Sequence, residues 1–277
     1  MSRQHGITKV GGQKHALDKF YTKSSIAKEC INLLDLSRYD KIIEPSAGSG
    51  SFSLQIANSI AYDVDPEHPS IIKKDWFSVE EKRTAGRTLV IGNPPFGVQN
   101  VTAVSFINHA AKFADTIAFI LPLSFMKESR QKRIDKNFHL RSSLILPRYA
   151  FELDNKNIHV ASAFQIWDYD GENLRTETPN PQSKGFSFVK KSAAPDLYIQ
   201  RVGYGAGVAG VNWVDRNEQS HYFIKLHPEA PDTPEQFVEK MNVVNFDVRD
   251  YSVGPRSLSR KEMMTGFLRM YPEYLTI

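Results

Sequence analysis

The stretch Asn93-Pro94-Pro95-Phe96 places an amide, carbonyl groups and an aromatic ring directly after an apolar run, Thr88–Gly92. The run is typical of a buried parallel strand, and the two prolines end it because they remove backbone donors. Asn93 precedes a proline, which restricts it to an extended conformation. Open α/β sheets bind ligands at the carboxyl ends of their strands. The stretch therefore predicts a rigid polar corner at a ligand site.

These groups suit a flat substrate that carries an NH₂ group. The Asn93 side-chain oxygen and the Pro94 carbonyl can each accept one hydrogen bond from the amine, and Phe96 can stack on the ring. The lone pair of the adenine amine is delocalised, and two acceptors that hold both N–H bonds out of the ring plane localise it. A sulfonium methyl donor in line then permits direct displacement by positioning and electrostatic complementarity. When this stretch is considered by itself, a purely structural turn that ends the strand, with Asn93 as its cap, explains it equally well.

A glycine loop follows an upstream apolar run, Lys41–Glu44. Gly48 and Gly50 allow a tight turn and close approach of a ligand to the backbone. Glu44, at the end of the run, is placed to meet an amine. The loop lacks the Gly-Lys-Ser/Thr ending of phosphate-binding loops, and its acid would repel phosphate. The segment therefore favours a cationic ligand over a nucleotide phosphate.

Two further acids come at the ends of the next predicted strands. Asp63 follows Ile60-Ala-Tyr and can accept both hydroxyls of a ribose, as acids do in dinucleotide folds. Asp75 and Trp76 follow Ser70-Ile-Ile-Lys-Lys and supply an acid for an adenine amine and an aromatic ring for its face. Each alone is commonly an ordinary strand-end acid or core aromatic. In this order, at the spacing of βαβ units, they predict a nucleoside pocket.

The elements that must position these residues alternate along the chain, which predicts a mostly parallel sheet covered by helices on both faces. A polar, proline-rich connector, 171–183, separates a smaller C-terminal part, 184–277, with strand-like runs and two capped helices. The sequence of Gly205–Gly210 matches the glycine spacing of a dinucleotide-binding fingerprint, but the fingerprint is rejected because no helix is predicted after it. Arg201, Tyr204 and Trp213 lie nearby, so this segment is either a nucleic-acid contact or a structural loop. The predicted strands of the sheet are 41–45, 60–64, 70–74, 88–92, 116–121, 142–147 and 160–168, and the predicted helices are 24–36, 50–59, 101–113 and 124–135.

The motif series resembles the class I S-adenosylmethionine-dependent methyltransferases, and within them the amino-methyltransferases with an (Asn/Asp/Ser)-Pro-Pro-(Tyr/Phe/Trp) motif. The Asn-Pro-Pro-Phe form resembles the N6-adenine branch. Phe20-Tyr21-Thr22, before an amphipathic helix, resembles the family's N-terminal cofactor motif. The motif order resembles the gamma class, whose target-recognition part is C-terminal. The resemblance covers residues 17–168 and implies a Rossmann-like class I fold with a seven-stranded sheet and a small C-terminal α+β part.

The resemblance also implies the cofactor, S-adenosylmethionine, and the domains. Residues 1–16 are expected to form a flexible basic arm, 17–170 the catalytic domain, and 184–277 a target-recognition or accessory part. The implied donor-binding residues are Tyr21 and Thr22 at the methionine part, Glu44, Ala47, Gly48 and Gly50 at the amino acid and sulfonium, Asp63 and Val64 at the ribose and adenine, and Asp75 and Trp76 at the adenine.

The same resemblance assigns the target side of the site. Asn93, Pro94 and Phe96 would hold the target amine and base, and Phe151 would pack on the flipped-out base, with a core phenylalanine as the alternative. Basic residues also follow the strand that ends near Leu121, and they would contact the nucleic-acid backbone unless they form a solvated helix face. The backbone candidates are Lys127, Arg130 and Arg133.

Composition excludes several classes of protein. The chain has 277 residues, a hydrophobic fraction of 41% and a formal net charge of +4, which is compatible with nucleic acid but not diagnostic. No run approaches the ~18 apolar residues of a membrane span. Residues 1–15 lack the apolar segment of a signal peptide, so a cytoplasmic location is expected. The single cysteine, Cys30, and the spacing of the histidines predict no disulfide and no metal site.

Three classes of function remain open. Methylation of adenine N6 in DNA is favoured by the motif order and by the size of the C-terminal part. Methylation of RNA adenine is the alternative, since some RNA enzymes also carry Asn-Pro-Pro-Phe followed by a glycine, which is Gly97 in this chain. A related variant of this activity methylates a protein glutamine amide. A non-catalytic nucleic-acid-binding module is least favoured because the donor acids and the Asn93 motif are all present. Nucleic acid is therefore the expected partner, and the oligomeric state stays open.

Overall fold

The computed structural model describes residues 8–10, 13–15, 20–154, 156–252 and 254–276. The chain forms two compact units, one ending at Thr176 and one beginning at Glu177. The boundaries inferred from the sequence, at 170 and 184 around a connector, stay predictions. The predicted arm, 1–16, lies outside the described residues except for two short antiparallel strands, β1 (Thr8–Val10) and β2 (Gln13–His15).

The first unit is built on a seven-stranded sheet. Its strands have the order β6-β5-β4-β7-β8-β12-β9, and a separate three-stranded sheet has the order β11-β10-β3. The pairs from β6 to β8 are parallel, whereas β12 is antiparallel to both β8 and β9. The strands are β3 (Tyr21–Thr22), β4 (Lys41–Glu44), β5 (Ile60–Asp63), β6 (Ile72–Lys73), β7 (Thr88–Gly92), β8 (Thr116–Pro122), β9 (Phe138–Ile145), β10 (Phe151–Leu153), β11 (Lys156–Ile158) and β12 (Ser162–Tyr169).

Helices cover both faces of this sheet. Helix α1 (Ser24–Ile31) packs its buried residues into one hydrophobic cluster with Leu89 and Ile91 of β7. Helix α2 (Val101–Ala110) packs into a second cluster with Val90 of the same strand. Alternate residues of β7 thus point to opposite clusters, as the two-residue period of a strand requires. The predicted Rossmann-like α/β architecture with a mostly parallel seven-stranded sheet is confirmed.

All four helices predicted in the first unit are shorter than their sequence patterns indicated, and the helix predicted over 101–113 ends at Ala110. The predicted helix 50–59 is wrong as an α-helix, since only a 3₁₀ turn forms at Ser53–Gln55. Gly50 and Asn58 adopt positive φ angles of 90° and 59° at its two ends. The predicted helix 124–135 is interrupted at Lys127, whose backbone is extended, and only α3 (Glu128–Gln131) is α-helical. The helix predicted to reach residue 36 ends at Ile31.

The second unit, from Glu177, is the small α+β part that the sequence predicts. Thr233 caps α4 through a capping box with Gln236, and Ser259 caps α5 in the same way with Glu262. Residues of the sheet and of both helices form one buried aromatic cluster. The sheet has the order β13-β16-β14-β15, and the elements are β13 (Phe186–Val189), β14 (Leu197–Gln200), β15 (Ala209–Gly210), β16 (His221–Leu226), α4 (Pro234–Val243) and α5 (Arg260–Met270). Within the described part of both units, every helix is too short or too polar to cross a membrane.

Candidate active site

A cavity of about 420 Å³ opens at the carboxyl ends of β4, β5 and β7, within the first unit. This volume is in the range of small-molecule sites, which is ~300–1,000 Å³. The topology explains the position, because parallel neighbouring strands end at the same edge of a sheet. Ten of the residues singled out from the sequence line it: Tyr21, Thr22, Glu44, Ala47, Gly48, Asp63, Val64, Asp75, Trp76 and Asn93.

Asp63 fixes the glycine loop against the end of β5. Its Oδ2 accepts a hydrogen bond from the Gly48 backbone N–H at 2.8 Å, and its Oδ1 accepts one from the Asp65 N–H at 2.8 Å. A carboxylate offers about four acceptor positions, so both oxygens can still accept hydroxyl groups. Gly48 has φ +54°, and a Cβ there would lie 3.2 Å from the Tyr21 ring. Gly50 does not line the cavity; its role is the turn itself, where a Cβ would lie 2.7 Å from Leu54 Cγ.

Glu44 is the buried acid of the site, with only 2% of its surface exposed. Its Oε2 accepts a hydrogen bond from the Ser53 backbone N–H at 2.8 Å. Burial raises the pKa of Glu44 to about 8, because desolvation of the carboxylate outweighs the hydrogen bonds from Ser53. The group is therefore largely protonated near neutral pH unless a cation enters the cavity.

The N-terminal strand β3 forms one wall of the cavity. Strand β10 holds β3 by antiparallel pairing, and Ser51 Oγ donates to the Thr22 carbonyl at 2.6 Å. The Tyr21 hydroxyl donates to Glu67, and burial with this carboxylate raises the tyrosine pKa. Thr22 is 4% exposed, and its Oγ1 has no hydrogen-bond partner among the described residues. A buried hydroxyl left unpaired at a cavity wall is a group available to a ligand.

Asn93 is held at the floor of the cavity, directly after β7. Its Nδ2 donates to the Phe20 carbonyl at 3.4 Å, and its backbone carbonyl accepts from Ser46 Oγ at 3.2 Å. Its Oδ1 is buried and has no partner within the described part of the chain. One of the two Nδ2 N–H groups is engaged by Phe20, whereas the Oδ1 acceptor is entirely free among the described residues. Asn93 can therefore bind an N–H donor that enters the cavity.

Several aromatic residues lie elsewhere than the sequence indicated. Phe96 does not line the cavity and packs against both hydrophobic clusters of the sheet. Phe151 is 1% exposed within one of these clusters, which matches the alternative of a core phenylalanine. Trp76 reaches the cavity, but it is 1% exposed and donates its indole N–H to the Phe106 carbonyl. Phe77, which the sequence did not single out, lines the cavity and is 47% exposed.

The remaining sequence candidates lie outside the cavity lining. Pro94 is buried behind it, and Pro95 lines it instead. Lys127 is 8% exposed, which is too buried for a free phosphate contact, and Arg133 donates to the Gln99 carbonyl at 3.4 Å. Arg130 lies on α3 and is half-buried. Phe20, from the N-terminal motif, also lines the cavity, and the lining residues that sequence reasoning missed include Ser46, Asp65, Glu67, Phe77 and Thr102.

The lining of the cavity fits a cationic nucleoside ligand. Acids line it at five positions, whereas no Lys, Arg or His is found among the described lining residues. Such a lining repels phosphate and attracts the ammonium and sulfonium charges of S-adenosylmethionine. Among the described residues, no group of three or more His, Cys, Asp or Glu could hold a metal ion. The acids that line the cavity are Glu44, Asp63, Asp65, Glu67 and Asp75.

Comparison with known proteins finds a methyltransferase-like family model and partial relatives. Residues 40–163 match the family model of the EDM2 methyltransferase-like domain. The chain is 30% identical over 92 residues to the type II methyltransferases M.HincII of Haemophilus influenzae and M.HindII of H. influenzae strain ATCC 51907 / DSM 11121 / KW20 / Rd. These matches cover 30% of this chain, 18% of M.HincII and 17% of M.HindII, so the chain spans less than a fifth of the length of either relative.

A solved structure assigned to the modification subunit of a type I restriction enzyme from Vibrio vulnificus YJ016 is also similar. Its TM-score is 0.42 at 16% identity, over 55% of this chain and 45% of that chain. The family match, with the strand order described above, confirms the prediction of a class I S-adenosylmethionine-dependent methyltransferase and of its cofactor.

Proposed function

We propose that this class I methyltransferase transfers a methyl group from S-adenosylmethionine to the exocyclic N6 amine of adenine in DNA. The observation that carries the proposal is the buried Oδ1 of Asn93, which lines the cavity without a partner among the described residues. An unpaired buried acceptor costs ~1–3 kcal/mol. A substrate N–H that pairs with it recovers this free energy at the place where a methyl acceptor must sit.

The cofactor supplies an electrophilic methyl group on its sulfonium sulfur. Asn93 accepts one N–H of the target amine. The second is assigned to the backbone carbonyl of Pro94, which does not itself line the cavity but stands between two lining residues, Asn93 and Pro95. These hydrogen bonds strengthen as positive charge develops on the nitrogen, so they act mainly on the transition state. The methylated amine then releases one proton to water. No side chain with a strong base is needed for this step.

The cofactor is assigned to the acidic side of the cavity. Asp63 keeps acceptor capacity for the ribose hydroxyls, and Asp75 is exposed at the cavity for the adenine amine. Phe77, more exposed than Trp76, supplies the ring for the adenine face. Thr22 Oγ1 and the Glu44 carboxyl are left for the methionine part, whose ammonium favours ionised Glu44. Each assignment uses a group that the cavity presents to its interior.

DNA is proposed over RNA because the order of the motifs places a C-terminal unit after the catalytic domain, as in the gamma class. In a duplex the adenine amine is hidden from an enclosed cavity, so the base must flip out or come from a single strand. RNA adenine and a protein glutamine amide also carry a planar amine, so both are alternative substrates. Identification of the methylated product distinguishes them from DNA adenine.

The test compares wild type with Asn93→Ala and Asn93→Asp. Asn93→Ala is expected to abolish methyl transfer while donor affinity, measured by calorimetry, changes by less than threefold. Asn93→Asp is expected to keep partial activity because a carboxylate still accepts from the amine. Asn32→Ala, which removes an exposed amide at the end of α1, is the matched control. Transfer by Asn93→Ala at the wild-type rate would overturn the proposal.

A further inference from the structure

The second unit carries a strip in which arginines alternate with aromatic rings, and we call it the arginine–aromatic strip. The Arg260 guanidinium lies 4.9 Å from the Phe188 ring and 5.4 Å from the Tyr222 ring. The Arg201 guanidinium also lies 5.3 Å from the Tyr222 ring. Arg256 lies 5.1 Å from the Tyr204 ring. The strip therefore consists of Phe188, Arg260, Tyr222, Arg201, Arg256 and Tyr204.

Backbone pairing makes the strip continuous. Val202 and Ser257 form an antiparallel bridge, the Leu258 N–H donates to the Arg201 carbonyl, and the Gly203 N–H donates to the Arg256 carbonyl. The segments that carry Arg201 and Arg256 therefore lie side by side. The Tyr222 hydroxyl donates to the Leu258 carbonyl and joins β16 to the same place.

Tyr204 is presented at the tip of a rigid loop and is 89% exposed. The Gln200 N–H donates to the Val208 carbonyl and the Gly207 N–H donates to the Gln200 carbonyl, both at 2.8 Å, which closes the loop. Gly203 and Gly207 have φ angles of +101° and +97°, which a residue with a side chain rarely adopts. The glycine-rich segment thus holds an aromatic ring in solvent, where its face is open to a partner.

The charge of the strip is available to a partner. Arg256 pairs with Asp250, but within the described residues no carboxylate lies within 4 Å of Arg201 or Arg260. Arg201 donates one guanidinium N–H to the Gln219 carbonyl at 3.3 Å, and its Nε is buried without a hydrogen-bond partner among the described residues, which leaves the other terminal N–H groups for a ligand. Guanidinium groups that stack on rings and keep free N–H donors are suited to phosphate, because the planar donor fork fits phosphate oxygens.

We propose that the arginine–aromatic strip binds unpaired DNA, with a base stacked on Tyr204 and phosphates at Arg201 and Arg260. Exposed rings between cations are what single-stranded nucleic acid requires, since every base has a π-face and every nucleotide a phosphate. A protein partner would be expected to cover an apolar patch, whereas five of the six side chains here carry a polar or charged head. The choice of DNA over RNA rests on the proposed function; the stacking and phosphate contacts rest on the strip alone.

The test measures binding of the full chain to a fluorescent single-stranded DNA of about 20 nucleotides, longer than the ~4–16 nucleotides that single-strand-binding folds cover. The same strand as a duplex, and as RNA, are the comparison ligands. Anisotropy titrations are run at several salt concentrations, without S-adenosylmethionine. The variants are Tyr204→Ala, Tyr204→Phe and Arg260→Ala. Arg269→Ala, which removes another exposed arginine of α5, is the matched control.

Tyr204→Ala is expected to weaken single-strand binding roughly 5- to 150-fold, whereas Tyr204→Phe keeps the ring and stays within about threefold of wild type. Arg260→Ala is expected to reduce the slope of log K against log salt by about 0.7, and Arg269→Ala to leave it unchanged. Thermal unfolding of each variant verifies the fold.

Wild-type affinity in folded Tyr204→Ala, or equal losses in Arg260→Ala and Arg269→Ala, would overturn the strip as the binding surface. Tighter binding of duplex than of single strand, or of RNA than of DNA, would overturn the assigned ligand. Because the readout is binding without methyl transfer, these outcomes are independent of the Asn93 test.

Discussion

Glu44→Gln is the substitution whose effect can be worked out most fully from the structure. The carboxyl is 2% exposed, lines the cavity and accepts a hydrogen bond from the Ser53 N–H. Glutamine has nearly the same shape, and its side-chain oxygen can accept the same hydrogen bond. The substitution therefore removes the titration of the carboxyl and leaves the packing and the hydrogen bond in place.

The pKa of Glu44 rises from its ordinary value of 4.5 to about 8, first because of burial and further because of the nearby Asp63. A raised carboxyl pKa means that the folded protein holds one proton more than the unfolded chain between these two values. The stabilising contribution is complete below pH 4.5 and is lost as pH rises to about 8. At about 1.4 kcal/mol for each pH unit, the loss across this window is about 5 kcal/mol.

Urea unfolding of the cofactor-free protein between pH 5 and 9 measures this directly. The free energy of unfolding of wild type is expected to fall relative to Glu44→Gln by about 1.4 kcal/mol per pH unit up to about pH 8, and then to level off. Glu29→Gln, on the exposed side of α1, is the matched control and should run parallel to wild type. A difference between wild type and Glu44→Gln that stays constant across this pH range would refute the reasoning.

Two further substitutions test the donor side of the cavity. Asp63→Ala removes the acceptor of the Gly48 and Asp65 N–H groups. Calorimetry should show that the affinity for S-adenosylmethionine falls at least tenfold, in line with ~1.5–3 kcal/mol for hydrogen bonds to a charged group. Unchanged affinity would remove Asp63 from the site. Phe77→Ala should weaken binding of S-adenosylmethionine without unfolding the protein, because Phe77 is exposed at the cavity. Phe96→Ala should lower the unfolding temperature, because Phe96 packs against the hydrophobic clusters of the sheet. Loss of donor binding in Phe96→Ala and loss of stability in Phe77→Ala would restore Phe96 as the cavity residue.

Elements with strong local signals could be predicted from the sequence. Strand β16 (His221–Leu226) and helix α5 (Arg260–Met270) are among the strand-like runs and capped helices that the sequence indicated for the C-terminal part. Alternation sets the strand, and Ser259 with Glu262 sets the start of the helix through a capping box. The positions of the sheet strands along the chain could be predicted for a similar reason, because each parallel strand is a short apolar run between polar segments.

Elements that depend on distant partners could not be predicted. Residues 50–59 have a helical pattern, but only a 3₁₀ turn forms between Gly50 and Asn58, which both adopt positive φ angles, and the Ser53 N–H donates to the distant Glu44 side chain. The site shows the same limit. Trp76 and Phe77 are neighbours of similar character, and both rings contact Phe106. Trp76 also packs against Phe113 and donates its indole N–H to the Phe106 carbonyl, and these distant partners bury it. The strand-end acids could be predicted because topology alone places them.

The most direct test of the central claim is the identity of the product. Wild-type protein is incubated with S-adenosylmethionine carrying a labelled methyl group and with DNA, RNA and protein in parallel, and the nucleosides and amino acids are separated by mass spectrometry. Labelled N6-methyladenine from DNA is the expected product, and it should be absent with Asn93→Ala. Label only in RNA adenine would contradict the choice of DNA, and label on another atom, or on none, would contradict the assignment of Asn93 as the acceptor of the adenine amine.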